Sequence, residues 1–244
     1  MLIAVFNQST RITDKEALAM TQAVATQVRI DAAPIWDKAP AAVIYYGKVA
    51  PGKAKVPAHV PAEAHGITIV DAIPDQPKGV LGYHTEDQGG KIWGIVAASP
   101  SLDSGAQALT GDWSVASVLS HEVLEMFVDP NCNLWASDGS GKVYSVEVCD
   151  PVEAPTYVVN GVSVSNFVTP AWFDPLAAKN GKTHFDKCNQ LKKPFSRLQA
   201  GYMVYASEGK ETQDQGDLMP KWRLQSKSGW FSRTKRRLAQ PGQF

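Results

Sequence analysis

The stretch Ser120-His121-Glu122-Val123-Leu124-Glu125-Met126-Phe127-Val128-Asp129-Pro130 constrains this chain more than any other. Upstream and within it, Val115, Val118, Leu119, Val123, Leu124 and Phe127 recur at helical spacing. One stripe of a helix is therefore apolar and belongs against a core. Asp112 is the expected N-cap, and Pro130 closes the helix. His121, Glu122 and Glu125 lie off the stripe and are left for a cleft. Residues four apart share a helix face, so His121 and Glu125 project together. An imidazole and a carboxylate one turn apart can grip one metal ion, and zinc takes both at about 2.0–2.2 Å. Glu122, next to the first ligand, can take a proton from a water molecule beside the ion. The alternative is an amphipathic helix whose solvated face carries a His and two Glu.

A zinc hydrolase site needs a third protein ligand. Glu147-Val148-Cys149-Asp150-Pro151 follows the helix closely enough for a loop and a strand to bring it back. Glu147 and Asp150 are the candidates, Glu147 on an expected strand and Asp150 where that strand yields to a Pro-terminated turn. Asp129 is weaker: it ends the helix, where the macrodipole disfavours a carboxylate, and reads as structural, as a support behind the ligands, or as bound to a separate cation. Cys149 and Cys132 could reach a metal as thiolates, but lone cysteines are commonly inert and buried. His84, near Glu86 and Asp87, is a lesser candidate. His59, His65 and His184 read as solvated loop residues. Tyr157 and Tyr202 are both available to stabilise an oxyanion.

Elsewhere the chain reads as α+β. Thr13 and Glu16 have capping-box spacing before a helix that Ala33-Pro34 should end. Strands are expected at 2–6, 42–46, 66–71, 79–83, 91–97 and 142–148. Asn160-Gly161 marks a hairpin between 156–159 and 162–168. A last strand or hairpin falls at 195–206, and no period is visible beyond it. The expected organisation is one domain over 1–206, with an αβ part (1–130) and a β-rich part (131–206), then a basic extension over 207–244.

With 44% hydrophobic and 20% charged residues the composition is ordinary for a globular protein. No apolar run approaches the ~20 residues of a membrane span. Met1–Asn7 has no basic leader and no long apolar segment, so synthesis in the cytoplasm is expected. Three cysteines without paired spacing imply no disulfide framework. The 24 basic and 24 acidic residues are unevenly placed. From Lys221 onward there are seven basic residues and no acid, which leaves 17 against 24 in residues 1–220. Trp222, Trp230 and Phe231 interleave with the tail's cations. That composition suits an acidic protein partner, another subunit or nucleic acid.

The pattern His121-Glu122-xx-Glu125-xxx-Asp129-Pro130, then Glu147-xx-Asp150, then the Asn160-Gly161 hairpin, resembles the zincin metallopeptidases with an HExxE variant of HExxH. It is closest to a sparse pattern in uncharacterised zincin-like proteins of bacteria and phages, and covers about residues 80–175. The resemblance implies a zincin-like mixed sheet with an active-site helix. It also implies a strand at the sheet edge, here 91–97, that binds extended peptide or protein substrate. Zn2+ is the implied cofactor and Glu122 the implied base of a peptidase-like hydrolase. The chain departs from HExxH families at Glu125, and from metzincins at Val128 and Asn131, where Gly and a third His would stand. A mostly oxygen ligand set makes Ca2+ or Mn2+ the alternative ion. The alternative function is a non-catalytic structural or assembly protein of a phage particle, with a structural or vestigial metal.

Overall fold

The computed structural model describes residues 1–50, 59–73, 76, 79–87 and 89–224. Its first half is a mixed sheet with helices. Strand β1 (Leu2–Asn7) leads to helix α1 (Asp14–Gln27). Thr13 accepts the Glu16 N–H while the Glu16 carboxylate accepts the Thr13 N–H, so the capping box forms as expected. Instead of ending at Ala33-Pro34, the helix passes through a π turn (Val28–Ala32) into the short α2 (Ala33–Ile35). Pro34 sits in that first turn, where a missing N–H costs nothing.

Strands β2 (Ala42–Lys48) and β3 (His65–Val70) flank β1, both parallel to it. β4 (Gly82–Glu86) and β5 (Ile92–Ala97) complete the order β2-β1-β3-β5-β4, with only β4 antiparallel to its neighbour. Two expectations are corrected here. The strand foreseen at 79–83 lies at 82–86, because the Asp87–Lys91 turn sets the register Gly82↔Val96 to Glu86↔Ile92. Asp87 Oδ1 fixes that turn by accepting the Gly89 and Lys91 N–H groups. Consequently β5 is interior, paired to both β3 and β4, and the edge strand is β4 rather than 91–97.

A short α3 (Ala98–Asp103) precedes the site helix α4 (Val115–Val128). Its N-cap is Ser114, which accepts the Ser117 N–H; Asp112 instead accepts the Thr156 hydroxyl. Every residue of α4 is buried, so the helix has no solvated face. Its apolar residues join Ile3, Val5, Met20, Val24, Ile67, Ile69 and Val96 in the main core. The Ser120 hydroxyl donates to Gln27 Oε1 at 2.6 Å and accepts the Ser165 N–H at 2.9 Å, linking α1 and α4 to Ser165 far along the chain. At the other end, the Lys38 ammonium donates to the Phe127 and Val128 carbonyls, the partners a helix C-terminus lacks.

The remainder is β-rich. β6 (Trp135–Ser137) and β7 (Val143–Ser145) pair, a 3-10 turn runs Asp150–Val152, and β8 (Thr156–Val159) and β9 (Val162–Ser165) form the hairpin. Asn160 and Gly161 both take the left-handed conformation that a two-residue type I′ turn needs. β10 (Tyr202–Ser207) and β11 (Lys210–Gln215) extend the β6–β7 sheet to the order β11-β10-β7-β6. α5 (Lys221–Leu224) is the last described element. Among the described residues, no helix is long and apolar enough to cross a membrane. Lys227, Arg233, Lys235, Arg236, Arg237, Trp230 and Phe231 of the basic tail lie outside the described residues.

Candidate metal centre

The four buried turns of α4 carry His121, Glu122 and Glu125 at 9%, 5% and 4% exposure, against the end of β4 and the turn after β7. That turn is short of the strand expected there. β7 stops at Ser145; Glu147 is half-buried beyond it, and the chain folds back over α4. The Cys149 N–H donates to Glu125 Oε1 at 3.2 Å, and its thiol donates weakly to the His121 carbonyl. These contacts bring the 3-10 turn, and with it Asp150, onto the His121 face.

His121 Nε2 stands 3.3 Å from Glu125 Oε1 and 3.2 Å from Asp150 Oδ1. The Asp150 contact has the distance of an ion pair without the direction of a hydrogen bond, so Asp150 Oδ1 is a buried oxygen without a hydrogen-bond donor. Burial opposes charge on the imidazole, but Glu125, Cys149 and Asp150 together carry its pKa well above the ordinary histidine value. Burial raises Glu125; His121 opposes that and Asp150 adds to it. A cation among these groups relieves the same repulsion that a proton does.

Two sets of side chains bring their donor atoms within 4.8 Å of one another: His121, Glu125 and Cys149, and His84, Glu125 and Glu147. The buried cluster can therefore hold a metal ion. Of the residues foreseen, the structure puts Asp150 beside His121 and Glu147 with His84. His84 and Cys149, weighed lightly in the sequence, are in the cluster. Nothing local marks His84: only the hairpin register turns it towards α4, where Nδ1 faces Glu122 Oε2 at 3.7 Å. Asp129 accepts the Asn133 and Leu134 N–H groups and holds the loop after α4, the structural part its position suggested.

A small cleft of about 20 Å³, room for a water molecule, lies over this helix face. Ser117, His121 and Glu122 line it, with Leu81 and Trp113 as apolar walls and Glu153 and Arg223 opposite. Arg223 is buried: its guanidinium donates to Glu153 Oε1 at 2.8 Å and to the Gly79 carbonyl. This first part of the basic segment thus folds onto the body instead of being solvated. Tyr202 adjoins the site, where burial, Asp150 and Glu153 push its hydroxyl pKa well up. Tyr157 is engaged elsewhere, donating to Asp31 and accepting from Gln27.

No family model, curated protein or solved structure matches this chain significantly.

Proposed function

We propose that the chain is a metal-dependent hydrolase, a zinc peptidase-like protein with a zincin-like arrangement of mixed sheet and site helix. The observation that carries this reading is the convergence of Glu125 and Asp150 on His121 Nε2, next to a small cleft that His121 and Glu122 line. The donor set fits a metal: one imidazole, carboxylates, a thiol in reach, and a buried Asp150 oxygen with no hydrogen-bond donor. The Cys149 sulfur favours zinc over Ca2+ or Mn2+, which prefer oxygen.

In this reading His121, Glu125 and Cys149, whose donor atoms converge, hold the ion, with Asp150 the competitor of Cys149. Bound zinc supplies Lewis acidity towards a substrate carbonyl. Glu122 accepts the proton of the attacking water and returns it to the leaving amine. Tyr202, kept protonated by its surroundings, offers an O–H to the developing oxyanion. β4, the edge strand beside α4, offers backbone groups to an extended peptide.

A second reading, a structural or assembly protein with a structural metal, draws on one observation. Glu122 is only 5% exposed, and the Arg223–Glu153 pair closes in the cleft wall. A peptide-library assay on the zinc-loaded protein separates the two. Hydrolysis by the wild type that falls about 10²–10⁴-fold in Glu122→Gln, with metal content unchanged, supports the enzyme. No cleavage by metal-loaded wild type supports the assembly role.

A further inference from the structure

Glu125 belongs to both sets of converging donor atoms, the one built on His121 and the one built on His84. The second set is constructed from three separate parts of the chain. His84 lies inside β4 and is 4% exposed, Glu125 is on α4, and Glu147 is on the turn beyond β7.

The orientation of His84 is fixed from behind. Its Nε2 lies 3.1 Å from the Asp129 carbonyl oxygen, which can only accept, so Nε2 carries the hydrogen. In the neutral ring Nδ1 then presents a lone pair, and it does so towards the carboxylate side, 3.7 Å from Glu122 Oε2. A backbone carbonyl holding one imidazole nitrogen so that the other faces a cation is the usual support of a metal-binding histidine. The carbonyl is itself held, because the Asp129 side chain accepts the Asn133 and Leu134 N–H groups and anchors that loop.

Charge points the same way. Glu122 faces this nitrogen, the Glu125 and Glu147 carboxylates have donor atoms within 4.8 Å of the His84 ring, and Asp150 lies just beyond through His121. Two cations packed near α4 are committed outside the cluster: Lys38 to the carbonyls ending α4, and Arg223 to Glu153. One divalent ion at His121 leaves an excess of buried negative charge; a second removes most of it. Next to His84, Cys132 is held at φ 50°, a backbone conformation that favours glycine, with its thiol 3.5 Å from the His84 carbonyl.

We propose that the cluster is a two-metal centre, in which a second divalent cation binds His84 and Glu147 and the Glu125 carboxylate bridges it to the ion at His121. This rests on the metal-dependent reading above and extends it. Sharing one carboxylate between two ions is a recurrent construction of hydrolytic sites, where the ions clamp attacking and leaving oxygens.

The test is metal stoichiometry of the full chain, stripped with chelator and reloaded with Zn2+ alone, then with Co2+ for spectroscopy. Expected are two ions per chain in the wild type and one in both His84→Ala and Glu147→Gln. The cobalt form should show magnetic coupling between the two ions, absent from either variant. Glu147→Gln is conservative and half-buried, so it decides the matter where His84→Ala fails to fold. One ion in the wild type that survives both substitutions overturns the second site and leaves the His121 site standing. One ion that His121→Ala and Glu147→Gln each abolish also overturns it, since all the ligands then serve a single ion. No ion in the wild type overturns both this proposal and the reading beneath it.

Discussion

The Cβ position of Gly82 on β4 lies 2.8 Å from Glu122 Oε1 on α4, so the strand meets the proposed base without room for a side chain. The same position is 2.9 Å from the Ile95 carbonyl, which belongs to the sheet and cannot yield. Sheet and helix are thus fitted to each other at the residue proposed as the base.

Gly82→Ala is accordingly expected to displace Glu122 while leaving His121, Glu125 and Asp150 in place. A displacement of that kind costs about 100-fold in turnover. The ion at His121 should be retained by elemental analysis, any loss being confined to the second ion because β4 carries His84, and peptide hydrolysis should fall. Loss of the ion along with activity would show that Glu122 is a ligand rather than a base.

Asp129→Ala tests whether that carboxylate belongs to the loop or to the ion. It is 1% exposed and accepts two backbone N–H groups at 3.0 and 2.9 Å. Removing it should cost about 1.5–3 kcal/mol, read as a lower midpoint in urea unfolding. Zinc content at His121 should be retained in the folded variant. A full loss of zinc with little loss of stability would place Asp129 among the ligands.

Gly201 makes a comparable prediction on the opposite side of the site. Its Cβ position falls against the Pro151 carbonyl and 2.9 Å from that of Asp150, both backbone. Gly201→Ala should push the Asp150–Val152 turn away from His121 and weaken zinc binding by about tenfold or more, measured by competition with a chelator. An unchanged affinity would mean that Asp150 is not a ligand.

Much of this was readable in the sequence where a local motif carries its own geometry. Thr13 and Glu16 cap α1 reciprocally, and Asn160-Gly161 makes the hairpin, because in both cases the side chain or backbone freedom needed is present within four residues. The pairing of His121 with Glu125 follows from helical periodicity in the same way. What was not readable depends on partners far along the chain. His84 enters the cluster only because the Asp87–Lys91 turn fixes the register of β4, and that same register leaves β4 at the edge instead of β5. Asp150 reaches His121 only after the chain leaves β7 early to bond Glu125 through the Cys149 N–H. β11 lacks any apolar alternation, since its stability comes from pairing in register with β10. Arg223 reads as a surface cation by composition, and only the tertiary fold supplies the buried Glu153 that holds it.

Asp71 supplies the pH dependence away from the metal. It accepts the Ser9 and Thr10 hydroxyls and the Thr10 and Arg11 N–H groups, tying the β1–α1 loop to the end of β3. Its partial burial raises the pKa, but these donors outweigh that and bring it below the ordinary 3.8. A depressed carboxylate stabilises the fold above its unfolded pKa, and that contribution is lost as pH falls through the folded value. Asp71→Asn should therefore be destabilising by about 1–2 kcal/mol throughout pH 5–8. The difference from wild type should shrink only below about pH 3.8, as followed by urea unfolding across pH. A difference that grows on acidification would contradict the assignment.

The central claim is that His121 organises a metal site, and metal content tests it most directly. The purified full chain and His121→Ala should be stripped, reloaded with Zn2+, dialysed and measured by elemental analysis, with circular dichroism confirming that the variant is folded. Under the proposed function, stoichiometric zinc is expected in the wild type and loss of the His121-bound ion in the folded variant. Wild type that takes up no zinc, or a folded His121→Ala that keeps the full wild-type content, would contradict it.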